Sequence, residues 1–177
     1  MYSAPSILKH CPRCSAPFEA KSENHFLCSE CGFEYYFNTA AATGAIITDS
    51  EGKILLTRRN HEPKKGFLDL PGGFVGFREN AESALRREIK EELNLSLKST
   101  KYLCSIPNTY EFSGLVYHTL DLFFICRPQN FSSLRHNEEI MEVTYLFPQK
   151  IDLREIGFSS MKILLDEIRQ NPSCLSI

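Results

Sequence analysis

The chain has 177 residues, 42% of them hydrophobic and 24% charged, with a net charge of −2. That balance is that of a folded globular protein and excludes a disordered one, and the absence of a basic field argues against a protein that lives by gripping nucleic-acid backbone. No apolar run approaches a membrane span and no signal-peptide core is present, so a cytoplasmic protein with no membrane partner is expected.

Four of the seven cysteines, Cys11, Cys14, Cys28 and Cys31, form two tight pairs separated by thirteen residues. Two such knuckles can close a tetrahedral site with thiolates, which supplies folding energy to a segment too poor in aliphatics to build its own core. A redox dithiol would need only one pair beside a strand–helix unit. The spacing therefore predicts a structural zinc ribbon over 1–39 with no open coordination position, followed by a larger domain over 40–177. Cys104, Cys126 and Cys174 are scattered and read as small buried apolar residues.

In the larger domain, apolar runs at 43–48 and 53–58 flank a turn at 49–52 and read as a hairpin. A short strand at 67–70 is stopped by Pro71-Gly72-Gly73. The clearest helix is 81–93: Asn80 occupies the N-cap position, Ala81, Ala84, Leu85, Ile89 and Leu93 give helical spacing, and Asn94 tolerates a left-handed stop. Strands are expected at 99–105, 109–112, 117–127 and 142–147, and a second helix at 159–170 ahead of Pro172. The fold class is α/β (α+β), with helices packed on a mixed sheet.

The first helix carries an internal conflict. At about 100° per residue, Glu88, Glu91 and Glu92 fall in one arc of roughly 100° that overlaps the arc of Ala81, Ala84 and Leu85. Three carboxylates thus lie on or beside the inward face, at the helix end where the macrodipole disfavours anions. Local rules fail in this way where function is placed. A hard divalent cation resolves the conflict, since magnesium is held by a few carboxylates and completes its shell with water and phosphate oxygens. The competing reading is a solvated acidic face balanced by Arg86, Arg87 and Lys90; the shared arc with small apolar residues and the glycine-rich approach favour the cation.

The segment from Gly73 to Leu95 resembles the Nudix signature: Gly, five residues, Glu, seven residues, then Arg-Glu-aliphatic-any-Glu-Glu-any-Gly-aliphatic. Gly73, Glu79, Arg87, Glu88, Ile89, Glu91, Glu92 and Leu95 occupy their places, and Asn94 stands where the family usually has Gly. The resemblance implies a mixed sheet sandwiched between helices (an α/β/α sandwich) and metal-dependent hydrolysis of a nucleoside diphosphate linked to another group. It implies Glu88 and Glu92 as main ligands of magnesium or manganese, Glu91 as ligand or base, the Gly73 carbonyl as a further ligand, and Arg87 as the group that positions the glutamates. Glu79 would be a ligand or an orienting partner. Glu138 and Glu139, beyond the signature, are further candidates for the base. A nucleoside triphosphate pyrophosphatase, or a non-catalytic nucleotide-binding module, are the alternatives.

A ribbon ahead of such a domain is similar to the NADH pyrophosphatase branch of the family. That branch has a marker, Ser-Gln-Pro-Trp-Pro-Phe-Pro-any-Ser, of which only Ser105, Pro107 and Ser113 are matched here. Homodimers are common among such enzymes. For the substrate, Arg58 and Arg59 at a strand end can meet phosphate oxygens. Among Phe67, Phe77, Tyr110 and Tyr117, Tyr110, expected in a polar loop, is the favoured residue for stacking on a base.

Overall fold

A computed structural model of the chain describes residues 2–3 and 7–175. Among the described residues there are ten strands and two long helices: β1 (Tyr2–Ser3), β2 (Glu19–Ala20), β3 (His25–Leu27), β4 (Glu34–Tyr36), β5 (Ala40–Ile47), β6 (Ile54–Arg59), β7 (Leu68–Asp69), α1 (Ala81–Leu93), β8 (Leu97–Phe112), β9 (Leu115–Pro128), β10 (Ile140–Leu146) and α2 (Ser159–Gln170).

The N-terminal ribbon is a three-stranded antiparallel sheet, β2-β3-β4, with its own small cluster of Cys11, Phe18, Phe26 and Cys28. In the larger part, β9 pairs antiparallel with β8 along one edge, and parallel with β5 and β1. A second sheet runs β10-β6-β7. Side chains alternate along each strand. Ile46 and Phe123 therefore join one core with Leu164, Leu165 and Ile168 of α2, while Ala45, Ile47 and Phe124 join another with Leu85, Ile89 and Leu93 of α1. The two helices thus cover opposite faces, which is the expected α/β/α arrangement.

The expected pairing of the first two strands of this part needs correction. The turn exists, with the Asp49 N–H donating to Lys53 O at 3.0 Å, but β5 and β6 share only the Thr48–Ile54 bridge before entering different sheets. Both strands are buried along most of their length. Continuous apolar runs state that a strand is covered on both faces, and leave its partner open.

The expected break between 105 and 109 is also absent. β8 runs unbroken through Pro107, because it pairs with β9 alone and Pro107 sits on an edge strand that can spare the N–H. Ser113 and Gly114, at φ 50° and 79°, close the β8–β9 hairpin, with the two positive φ values that a type I′ turn requires. Tyr110 therefore lies in a strand, not in a loop.

Both helices begin and end where the spacing predicts. The Asn80 side chain accepts from the Ser83 N–H, and Asn94 is left-handed at φ 54°. Asn94 does more than the usual glycine: its amide donates to Ser133 O at 3.0 Å and accepts from Lys90 Nζ at 2.6 Å, tying the helix end to the segment after β9.

Candidate active site

The chain from β7 to α1 is bent into place by two glycines. Gly72 has φ 147°, and a Cβ there would stand 2.1 Å from Thr43 O, so the turn packs directly on the β5 backbone. A Cβ on Gly73 would meet the Glu88 carboxyl at 2.6 Å; the missing side chain is the space that carboxylate fills. Residues 71–75 lie along β5 through Thr43 N–H to Gly73 O at 2.8 Å, Ala45 N–H to Pro71 O at 2.8 Å and Val75 N–H to Ala41 O at 2.9 Å. The Gly73 carbonyl also accepts from Thr43 Oγ1 at 3.3 Å. The Gly73 carbonyl thus lies against β5 at the edge of the cavity, and its missing side chain leaves room for Glu88.

Arg87 organises the acidic residues. Its Nε and Nη2 reach the two oxygens of Glu79 at 2.8 and 3.0 Å, and Nη1 reaches Glu88 at 2.7 Å and Glu91 at 3.1 Å. The planar fork fixes three carboxylates at once. Hydrogen bonds from Arg87, helped by the Gly76 N–H, hold the Glu79 carboxyl down at about 2. Glu79 lies outside the cavity wall, with both its oxygens bonded by Arg87.

Glu88, Glu91, Glu92 and Glu139 line a cavity of about 400 Å³. Burial pushes the Glu88 carboxyl up, against the pull of Arg87. Glu92 keeps some access to the cavity, yet protein surrounds it on most sides. Burial pushes its carboxyl up to about 8; the Gly72 N–H at 2.9 Å opposes this, while Asp69, Glu88 and Glu139 reinforce it. Clustered acids with suppressed ionisation are the donor set a divalent cation fits. Glu138 is absent from the wall, and its main-chain carbonyl accepts from the Asn60 amide at 2.8 Å.

The two neighbouring arginines part ways. Arg58 is tied to Glu142, Gly66 O and Glu155, outside the cavity, whereas Arg59 lines it. Consecutive strand residues face opposite sides. Arg59 bonds Asp69 at 2.8 Å and sits 5.2 Å from the centre of the Phe158 ring. Tyr110 stacks on Phe158 at 5.6 Å and meets Phe74 edge-on at 5.3 Å, and all three line the cavity. Phe67, Phe77 and Tyr117 do not.

Sequence reasoning missed a polar wall. Asp121 accepts from Asn108 at 3.0 Å, Thr119 at 2.9 Å and Ser160 at 2.5 Å, and Ser159 donates to Asn108 at 2.8 Å. Asn108, Thr119, Asp121 and Asp69 all face the cavity. The available signal was alternation: Thr119, Asp121 and Phe123 share one face of β9, as Asn108 and Tyr110 share one face of β8.

In the ribbon, the Sγ atoms of Cys11, Cys14, Cys28 and Cys31 all lie within 4.8 Å of one another, with Cys11–Cys31 at 3.7 Å and Cys14–Cys28 at 3.6 Å. Zinc–sulfur bonds of about 2.3 Å in a tetrahedron imply sulfur–sulfur edges of about 3.8 Å, so the four thiols fit zinc.

The fold and the signature site define a class, and comparison with known proteins agrees. Residues 38–166 match the model of the NUDIX domain. The chain is 32% identical over 139 residues to the ADP-ribose pyrophosphatase of Methanocaldococcus jannaschii, covering 77% of this chain and 78% of that protein. It is 33% identical over 100 residues to the NAD-capped RNA hydrolase NudC of Klebsiella pneumoniae, which covers 56% of this chain and only 38% of that protein. A NUDIX hydrolase structure from Nitrosomonas europaea superposes with a TM-score of 0.62 at 21% identity, over 93% of this chain and 94% of that one. The chain belongs to the NUDIX family, and its enzyme class is that of the Nudix pyrophosphohydrolases. No helix among the described residues is long and apolar enough to cross a membrane.

Proposed function

We propose that this protein uses a divalent metal, magnesium or manganese, to hydrolyse the phosphoanhydride bond of a nucleoside diphosphate joined to another group, such as ADP-ribose, a dinucleotide or a nucleotide sugar. The observation that carries the reading is the convergence of Glu88, Glu91, Glu92 and Glu139 on one cavity, with Arg87 holding Glu79, Glu88 and Glu91. Glu88 and Glu92 would hold the metal, which polarises the diphosphate and acidifies an attacking water. Glu91, the most exposed of the three signature acids lining the cavity, with 57% of its side chain open, serves as ligand or base. Glu139 is the other candidate for the base. Arg59 is the cation placed to meet phosphate, and Tyr110 the ring placed beside a base.

The same reading divides the chain into a zinc ribbon at 1–39, held by Cys11, Cys14, Cys28 and Cys31, and a catalytic domain at 40–177. It places the protein in the cytoplasm, acting on small nucleotides. The activities for which the relatives are named, on ADP-ribose and on NAD-capped RNA, support a nucleotide-linked diphosphate over a triphosphate.

The test is a hydrolysis panel with magnesium or manganese, containing ADP-ribose, NADH, NAD, diadenosine polyphosphates, nucleotide sugars and nucleoside triphosphates. One diphosphate-linked class should be cleaved, and Glu91→Gln should slow that cleavage by about 10²- to 10⁴-fold, the range for loss of a positioned acid or base. Cleavage of triphosphates alone would shift the substrate assignment. Binding without cleavage by folded, metal-loaded protein would make the domain a nucleotide sensor.

A further inference from the structure

Glu139 reaches the cavity from the segment between β9 and β10, not from the helix that carries the other glutamates. It is close enough to Glu88 and Glu92 to repel both. An exposed carboxylate facing two others is pushed outward, and a loop yields to that push unless its backbone is held.

This backbone is held at three places. The last carbonyls of α1, which no helical N–H can reach, accept from the segment: Glu92 O from the Asn137 N–H at 3.0 Å and Leu93 O from the Arg135 N–H at 3.1 Å. At the helix stop, Asn94 and Ser133 bond each other reciprocally. The Asn94 amide donates to Ser133 O at 3.0 Å, and Ser133 Oγ donates to Asn94 O at 3.2 Å. At the far end, Asn60 donates to Glu139 O from its main chain and to Glu138 O from its side chain, both at 2.8 Å.

The first tie uses main-chain atoms alone, whereas the other two use asparagine amides. Asn94 stands where the signature usually has Gly. A glycine would stop the helix at least as well, so capping alone does not account for Asn94. Lys90 Nζ occupies its Oδ1 at 2.6 Å, which turns Nδ2 toward Ser133 O. Resting on the metal-hydrolase reading above, we infer that Asn94 and Asn60 are positioning residues that hold the Glu139 segment between α1 and β6, and so keep the Glu139 carboxylate in the cavity with Glu88 and Glu92.

Asn94→Gly isolates the tie. Glycine adopts φ 54° without strain, so the helix stop and the glutamates of α1 stay while the side-chain bond to Ser133 goes. In the metal-free protein, amides 133–139 should exchange about 5- to 10-fold faster, with α1 still protected. On whichever compound the panel shows to be cleaved, kcat should fall about 10-fold and KM stay within about twofold. Added to Glu139→Gln, the same change should cost less than about twofold more, because the group it positions is already gone. Asn60→Ala should repeat this pattern from the other end.

Manganese affinity gives the same cycle without turnover. By calorimetry, Glu139→Gln should weaken binding about fivefold through its lost charge. Asn94→Gly should weaken it about two- to threefold, and not further once Glu139 is Gln. That coupling would stand even if no compound in the panel were cleaved, in which case the reaction assigned above would fail and the positioning role would not. Unchanged exchange at 133–139 in Asn94→Gly would overturn the inference. So would a fall in kcat or manganese affinity that persists in full beside Glu139→Gln, since Asn94 would then act on the helix itself. Wild-type turnover and manganese binding by Glu139→Gln would overturn it as well, leaving nothing to position.

Discussion

Replacing Glu92 by Gln is expected to stop turnover and, in the metal-free protein, to raise the melting temperature. The loss of activity follows from removing a metal ligand and should exceed about 100-fold, the upper end of what losing an outer-shell partner costs. The gain in stability follows from linkage. Burial pushes the Glu92 carboxyl from 4.5 to about 8 in the folded protein. Between those values the unfolded chain releases a proton that the folded one keeps, so stability falls as pH rises from about 4.5 to about 8 and is level beyond. The cavity admits water and softens the penalty, leaving about 2 kcal/mol, or roughly 5 °C for a domain of this size. Gln keeps the acceptor for the Gly72 N–H and carries no charge. Thermal melts of metal-free wild type and Glu92→Gln at pH 5 and pH 8.5 check the sign: the curves should nearly coincide at the lower pH and separate at the higher. A variant less stable than wild type at pH 8.5 would refute it. Metal addition should stabilise wild type more than the variant.

Changing Cys28 to Ser should cost the ribbon its structure while sparing the larger part. A structural zinc site contributes about 10–16 kcal/mol of binding energy that is also folding energy. The ribbon has little else: its core is Phe18 and Phe26 with partly buried Leu8, Phe33 and Phe37. Bound zinc measured by elemental analysis should fall from about one per chain to near zero. Amide exchange should become fast across 8–37, with α1 and β9 remaining protected. Protection of the ribbon in zinc-free protein would contradict the structural role, and loss of protection in α1 would contradict the division into two units.

How much was legible beforehand differs by element. α1 was readable to the residue because Asn80, the apolar spacing and Asn94 each state a local rule. The acidic arc was readable because it breaks such rules. Strand partners were not, since the runs in β5 and β6 reveal burial and conceal which neighbour covers them. The break expected between 105 and 109 is absent because Pro107 lies on an edge strand, and whether a strand lies at an edge is a property of the sheet, invisible in the run itself. Arg58 and Arg59 were indistinguishable as a pair, and strand alternation alone sends one into the cavity. Asp69 was overlooked for a related reason: no spacing links it to Glu92 or Tyr110, and only the closed fold brings them together.

The parallel pairing of β5 with β9 has a kinetic implication. Ala40 lies opposite Thr119, so this ladder joins parts of the chain far apart in sequence, whereas β8 and β9 meet through a two-residue turn. Closing a long loop costs entropy before its contacts repay it. The β8–β9 hairpin is expected to form first and to act as the template on which β5 docks. The glycine turn at 72–73 hangs on β5, so the acidic cavity is assembled only at that later step. In pulse-labelled refolding, β9 amides should gain protection toward β8 before those of β5 do, and metal binding should appear with β5, not with the hairpin.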